Sequence, residues 1–182
     1  MALEHAILVA LTEQSSTGYD LARRFDKSIG QFWTATHQQV YKVLARMEAA
    51  GWVRVTVVPQ QGRPDKKVYA VTADGKAELR GWLAEPAEPE TTRSELALKV
   101  RGMSSGSTKA VLAEVRRHRE RHAERLDAYL RNEKHEFADP SRLRGRALHQ
   151  YLVLRGGISL ERSAIEWCDE ILRTLDPPKG TR

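Results

Sequence analysis

Apolar positions repeat with the helical period at the start of the chain, switch to strict alternation after Gly51, and return to the helical period from Thr72 onward. Leu3, Ile7, Ala10 and Leu11 fall on one face of a first helix, which Ser15-Ser16-Thr17-Gly18 interrupts. Thr17 and Asp20 form a capping box for a second helix running to about Ser28, with Leu21, Ala22 and Phe25 inward. A turn follows in which Gly30, Phe32 and Trp33 plug the space before the next helix; lining a ligand pocket is a second role open to Trp33.

The third helix is marked at both ends. Thr36 with Gln39 fits a capping box, and Gly51 fits the left-handed residue that terminates a helix. Val40, Val43, Leu44 and Met47 occupy i, i+3, i+4 and i+7, so one stripe is apolar and docks on a core. The opposite face carries Gln38, Tyr41, Lys42 and Ala45, a mixture suited to a DNA major groove. An ordinary amphipathic surface helix answers the same pattern, so the neighbouring elements decide.

Trp52 to Val58 reads as a strand and Lys67 to Val71 as its antiparallel partner. The loop Gln60-Gln61-Gly62-Arg63-Pro64-Asp65-Lys66 joins them, and Arg63, Lys66 and Lys67 project cations from the hairpin. Thr72 caps a fourth helix carrying Ala77, Leu79, Trp82 and Leu83. Glu85-Pro86-Ala87-Glu88-Pro89-Glu90 then holds neither helix nor sheet and marks a domain boundary.

Beyond it the chain reads as helical. A short segment runs from Glu95 to Gly102. A long charged helix from about Thr108 to Glu136 carries Val111, Val115, Leu126, Tyr129 and Leu130 on a thin stripe. Asp139-Pro140-Ser141 separates it from a last helix, Arg142 to Leu175, with Leu148, Tyr151, Leu152, Ile158, Ile165, Cys168, Ile171 and Leu172 inward. Two helices of this length extend about 45 Å each. Their narrow stripes bury too little alone and argue for packing on a second copy of the chain.

The order helix, helix, helix, strand, basic turn, strand, helix is that of a winged helix-turn-helix. The third helix then enters the major groove and the hairpin grips the adjacent backbone or minor groove. Gln38 and Tyr41 reach base edges, Lys42 divides between guanine and phosphate, His37 and Gln39 flank that face as backbone contacts, and Thr36 is counted with them among the DNA-binding residues. Arg63, Lys66 and Lys67 supply sequence-independent affinity.

Composition adjusts this picture only modestly. With 182 residues and 41% hydrophobic content the chain is globular, and its formal charge of +6 permits an acidic partner. No apolar run spans a bilayer and no charged-then-apolar leader opens the sequence, so a cytoplasmic protein without membrane contacts is expected. Cys168 is the single cysteine, which excludes an internal disulfide. His118 and His122 share a helix face, but Glu120 stands at the third position of the motif instead of the second. Arg116, Arg117, Arg119, Arg121 and Arg125 crowd the pair and oppose a cation, so the histidines read as polar residues at a helix interface and no metal is expected. No phosphate cradle and no nucleophile paired with a base occurs, so neither catalysis nor a cofactor is expected. The rival functional class is a ligand- or metal-binding helical dimer whose winged helix serves protein contacts.

Taken together these residues resemble the PadR family of bacterial transcriptional regulators, in particular its longer members with a two-helix C-terminal region. The resemblance runs through Gly18-Tyr19-Asp20-Leu21, Phe32-Trp33, Gln39-Val40-Tyr41, Leu44, Met47-Glu48 and Gly51-Trp52-Val53. It resumes at Gly62-Arg63-Pro64-Asp65-Lys66-Lys67-Val68-Tyr69 and ends at Val71-Thr72, Gly75, Leu79 and Trp82-Leu83. Many family members place a proline after the tyrosine of the recognition helix, where this chain has Lys42. The resemblance implies a homodimer that binds a pseudo-palindromic operator in double-stranded DNA, usually as a repressor. In some members phenolic acids or cationic aromatic drugs release the DNA, and Trp33 and Trp167 are the candidates for lining such a site here. The expected architecture is therefore mainly α. A winged helix-turn-helix with a two-stranded wing occupies residues 1–84, a Pro/Glu-rich linker 85–93, and a helical dimerisation region 94–182.

Overall fold

The computed structural model describes residues 2–27, 35–60, 62, 65–87 and 93–175. Gly30, Phe32, Trp33 and Arg63 lie outside them. The chain divides into two compact units, Met1–Pro89 and Glu90–Arg182.

The N-terminal unit comprises α1 (Ala2–Glu13), β1 (Ser16–Thr17), α2 (Gly18–Lys27), α3 (His37–Ala49), β2 (Val53–Val58), β3 (Lys66–Val71) and α4 (Ala73–Ala84). Its sheet has three antiparallel strands in the order β1-β3-β2. Sequence pattern predicts only the hairpin. The third strand is Ser16 and Thr17, which pair with Tyr69 and Val68, and two residues carry no period by which to recognise them. Ile7, Leu8, Leu21, Phe25, Val40, Leu44 and Met47 are buried together between the helices and the sheet. At about 1.5–3 kcal/mol for each large side chain, this cluster dominates what holds α3 in place.

Local contacts then fix the ends of each helix. Arg24 donates to the carbonyls of Ala10 and Gln14 at 3.0 and 3.2 Å and pairs with Glu13 at 2.8 Å, closing the C-terminus of α1 with a cation. Thr17 Oγ1 accepts from the Asp20 amide at 3.0 Å and donates to the Asp20 carboxylate at 2.8 Å. His5 stacks on Trp82 at 4.5 Å between ring centres, and its Nε2 lies 3.2 Å from Glu78, joining α1 to α4.

Thr72 ties the end of α3 to the start of α4. Its hydroxyl donates to the Gly51 carbonyl at 2.6 Å and accepts from the Gly75 amide at 3.1 Å. Thr72→Val keeps the shape and removes both bonds. The expected cost is about 1–2 kcal/mol, read as a lower urea midpoint with an unchanged m-value.

The second unit comprises α5 (Glu95–Arg101), a 3₁₀ turn at Met103–Ser105, α6 (Thr108–Glu136), a second 3₁₀ turn at Pro140–Arg142, and α7 (Gly145–Leu175). Ser94 and Ser107 cap α5 and α6, each accepting from the third residue of its helix. The last helix starts later than the pattern predicts. Asp139 caps the Pro140–Arg142 turn by accepting from the Ser141 amide, and Gly145 takes a φ of +53° that interrupts the helical run.

Val115, Cys168 and Ile171 pack with Leu96, Met103 and Leu112, while Tyr129 packs with Leu154 and Ile158. Arg119 grips Asp169 across α6 and α7 with bonds of 2.5 and 3.2 Å, which hold the carboxyl below its ordinary range. Leu152, predicted inward, is 57% exposed, and Leu154 takes the buried position instead. No helix among the described residues is long and apolar enough to cross a membrane.

Candidate nucleic-acid interface

The helix α3 presents a polar face because its other face is committed. Val40, Val43, Leu44 and Met47 are buried, and Gln38, Tyr41, Lys42 and Ala45 are exposed along the opposite stripe. Thr36 and Gln39 build a complete capping box. Thr36 Oγ1 accepts from the Gln39 amide at 3.2 Å, and the Thr36 amide donates to Gln39 Oε1 at 2.8 Å. The Thr36 hydroxyl also lies 3.1 Å from Gln39 Oε1. These two side chains therefore spend their oxygens on the helix end, and what they offer a partner is the Gln39 amide nitrogen. His37 is exposed on the first turn.

At the other end Gly51 has a φ of +73°, its amide donates to Glu48, and the Trp52 amide donates back to Met47. This pair of bonds is a Schellman motif, which turns the chain directly into β2. Helix and hairpin are thereby set side by side.

A groove of about 640 Å³ opens between them. Its walls include Tyr41 of α3, Tyr19 at the start of α2, and Lys66, Lys67 and Tyr69 of β3. The pattern predicts Lys66 in the loop; the structure places it in the strand, opposite Val58, with Lys67 opposite Val57. Both lysines are exposed. Burial pushes the Tyr69 phenol above its ordinary value, reinforced by the Glu48 carboxylate and by Tyr41, so it remains an O–H donor at neutral pH. The Arg23 guanidinium sits 5.9 Å from the centre of the Tyr19 ring, adding a cation beside the groove. Asp20 and Asp65 line the same walls, and each is already engaged, Asp20 by the Thr17 hydroxyl and Asp65 by the Gln60 amide. Lys66, Lys67 and Arg23 set three cations against these two carboxylates, so the balance toward an anionic backbone is positive. Tyr19, Arg23 and Tyr69 escape a sequence reading because two elements distant in the chain, α2 and β3, bring them together.

Trp167 belongs to α7, where it lines a cavity of the helical unit. His118 lies 3.2 Å from Glu114 and His122 lies 2.5 Å from Glu161, so each imidazole has a carboxylate partner. Among the described residues no group of three or more His, Cys, Asp or Glu side chains converges as a metal site would require.

A winged helix-turn-helix with an exposed third helix beside a basic hairpin defines a DNA-binding transcriptional regulator. Residues 7–81 match the transcriptional regulator PadR-like family, and residues 92–176 match the virulence activator alpha C-terminal family. A probable transcriptional regulator of Mycobacterium tuberculosis is 54% identical over 185 residues, covering 96% of this chain and 98% of that protein. Bacillus subtilis PadR in complex with operator DNA superposes with a TM-score of 0.86 at 29% identity, covering 97% of this chain and 100% of that one. The same protein in complex with p-coumaric acid gives 0.77 at 27% identity, covering 96% and 95%. As a sequence, this negative transcriptional regulator is 30% identical over 177 residues, covering 96% of this chain and 97% of its own length. The Vibrio cholerae virulence activator AphA gives a TM-score of 0.79 at 32% identity, covering 96% and 98%. This chain belongs to the PadR-like family of transcriptional regulators.

Proposed function

We propose that this regulator is a repressor that binds a pseudo-palindromic operator as a homodimer and is released by a small aromatic ligand. The observation that carries the reading is the exposed stripe of Gln38, Tyr41 and Lys42 beside a groove walled by lysines and phenols. Gln38 and Tyr41 read base edges, and Lys42 serves guanine or phosphate. Thr36, His37 and Gln39 adjoin the backbone at the helix end. Arg63, Lys66 and Lys67 hold phosphates, with Tyr19 and Tyr69 donating beside them.

Residues 1–84 are in this reading the DNA-binding domain, 85–93 the linker and 94–182 the dimerisation domain. The second copy has a surface to cover. Of the 31 residues of α7, Leu154, Ile158, Cys168 and Ile171 are buried, while Leu152, Val153 and Leu160 are at least half exposed. A long helix with that much open apolar surface is the usual substrate of a dimer seam. The negative sign rests on kinship with PadR, and the ligand on the complex of that protein with p-coumaric acid.

A footprint on the DNA upstream of the gene itself is the direct test. Two protected half-sites about 34 Å apart on one face are expected; one unpaired site, or none, would refute the dimeric operator reading. Lys67→Ala should weaken operator and random DNA alike and reduce the slope of log affinity against log salt by about one. An effect confined to the operator would remove Lys67 from the phosphate contacts.

A further inference from the structure

α3 carries two basic side chains of full charge, Lys42 and Arg46, and the fold treats them differently. Lys42 is exposed and has no carboxylate partner among the described residues. Arg46 stands one turn further along the same side of the helix, at the border between the exposed stripe and the buried Val43 and Met47. By position it would serve as a second phosphate contact. Its guanidinium lies instead 2.5 Å from the Glu4 carboxylate of α1, in a pair that joins residues 42 apart in the chain.

The two partners are unequally placed. Glu4 sits in the first turn of α1, where the helix dipole favours a carboxylate, and its side chain is only 15% exposed. Arg46 is 61% exposed, so its guanidinium reaches from the open side of α3 onto an anion that the fold holds. Moving that guanidinium to a DNA phosphate would uncover the carboxylate beside a polyanion, where like charges repel. The pair as a whole is neutral and adds little to a field that attracts DNA.

We infer that Glu4 is a positioning residue for DNA binding: by holding Arg46 against α1 it keeps this cation off the phosphate backbone and so limits how many phosphates the N-terminal unit engages. The inference rests on the reading that α3 meets DNA through its exposed stripe. Each phosphate contact is worth about 0.9 in the slope of log affinity against log salt, because it releases counterions. A contact withheld in this way lowers affinity for operator and random DNA alike.

Salt titrations of operator and random duplexes with the full chain are the test. Glu4→Gln frees Arg46, and should steepen the slope by about one and raise affinity for both duplexes roughly fivefold at about 0.15 M salt. Structural damage cannot produce that gain, and so exposed a pair contributes little to stability, so thermal melts should hardly change. Combining Glu4→Gln with Arg46→Gln removes the pair at constant net charge, and should return slope and affinity to those of the unaltered chain. An unchanged slope in Glu4→Gln would overturn the inference, because the freed cation then reaches nothing. So would a double variant with a slope shallower by about one, which makes Arg46 a phosphate contact already, or one that keeps the whole gain, which assigns the effect to the repulsion of the Glu4 carboxylate itself. Lys42→Ala separates this inference from the reading beneath it. If Lys42→Ala leaves both duplexes bound as before, α3 does not face DNA and both fall; if it weakens binding while Glu4→Gln changes nothing, only the role of Glu4 falls.

Discussion

Gly75→Ala is expected to destabilise the N-terminal unit by about 3 kcal/mol or more, lowering its Tm by roughly 12 °C or more. Two effects compete. Helix propensity alone favours alanine over glycine by about 1 kcal/mol within a helix, so a reading of α4 by composition predicts a gain. The backbone predicts a loss. A β-carbon on Gly75 would stand 2.1 Å from the carbonyl oxygen of Trp52, and that oxygen also accepts the Thr72 amide at 3.0 Å. Neither partner is the far end of a flexible side chain, so the junction between α3, β2 and α4 must open. Gly81, in the same helix, has nothing within 4 Å of its would-be β-carbon, and Gly81→Ala should raise stability by about 0.5–1 kcal/mol. Thermal melts of the two variants check the argument; a gain for both would show that the close approach is absent in solution.

The same junction shows which parts of the fold are legible before any coordinates. Thr36, Gln39 and Gly51 announce both ends of α3 because capping is local chemistry, decided within a few residues of the cap. Thr72 is legible as an N-cap for the same reason. Its second task, holding the Gly51 carbonyl, joins residues far apart in sequence and leaves no local trace. The requirement for glycine at position 75 is of that second kind.

The helical unit shows a different boundary. In α7 the pairs Leu148–Leu152 and Leu154–Ile158 both have i, i+4 spacing, so periodicity offers two apolar stripes and does not rank them. Only the position of α6, with Tyr129 lying against Leu154 and Ile158, selects the buried one. The rejected stripe is left open, and that is where the reading of a second copy finds its surface. The cavity beside Trp167 escapes the sequence for a related reason: Arg93, His118 and Trp167 come from three separate elements, and no motif spans them. His118 and His122 are a mixed case: their shared helix face and Glu114 one turn before His118 are legible in the sequence, whereas Glu161 beside His122 comes from α7.

Gly18→Ala should lower operator affinity at least about tenfold, some 1.4 kcal/mol, without removing any group that faces DNA. Gly18 opens α2 and is buried beneath the Tyr41 ring, so that a β-carbon there would lie 2.4 Å from Tyr41 Cε1. Tyr41 is 47% exposed, and the ring has room to swing toward solvent. Folding therefore loses little, and Tm should move by only a few degrees. Recognition loses more, because the swing takes the phenol away from the groove and from its place beside Gln38 and Lys42. A base contact held in register is worth about 1–3 kcal/mol of discrimination, which makes Tyr41→Ala the natural reference. If Gly18 acts only by seating Tyr41, the two substitutions are not additive: the double variant should bind operator no worse than Tyr41→Ala alone. A second tenfold loss on adding Gly18→Ala to Tyr41→Ala would instead show that Gly18 itself meets the DNA backbone, and that Tyr41 is a reader held in place by something else.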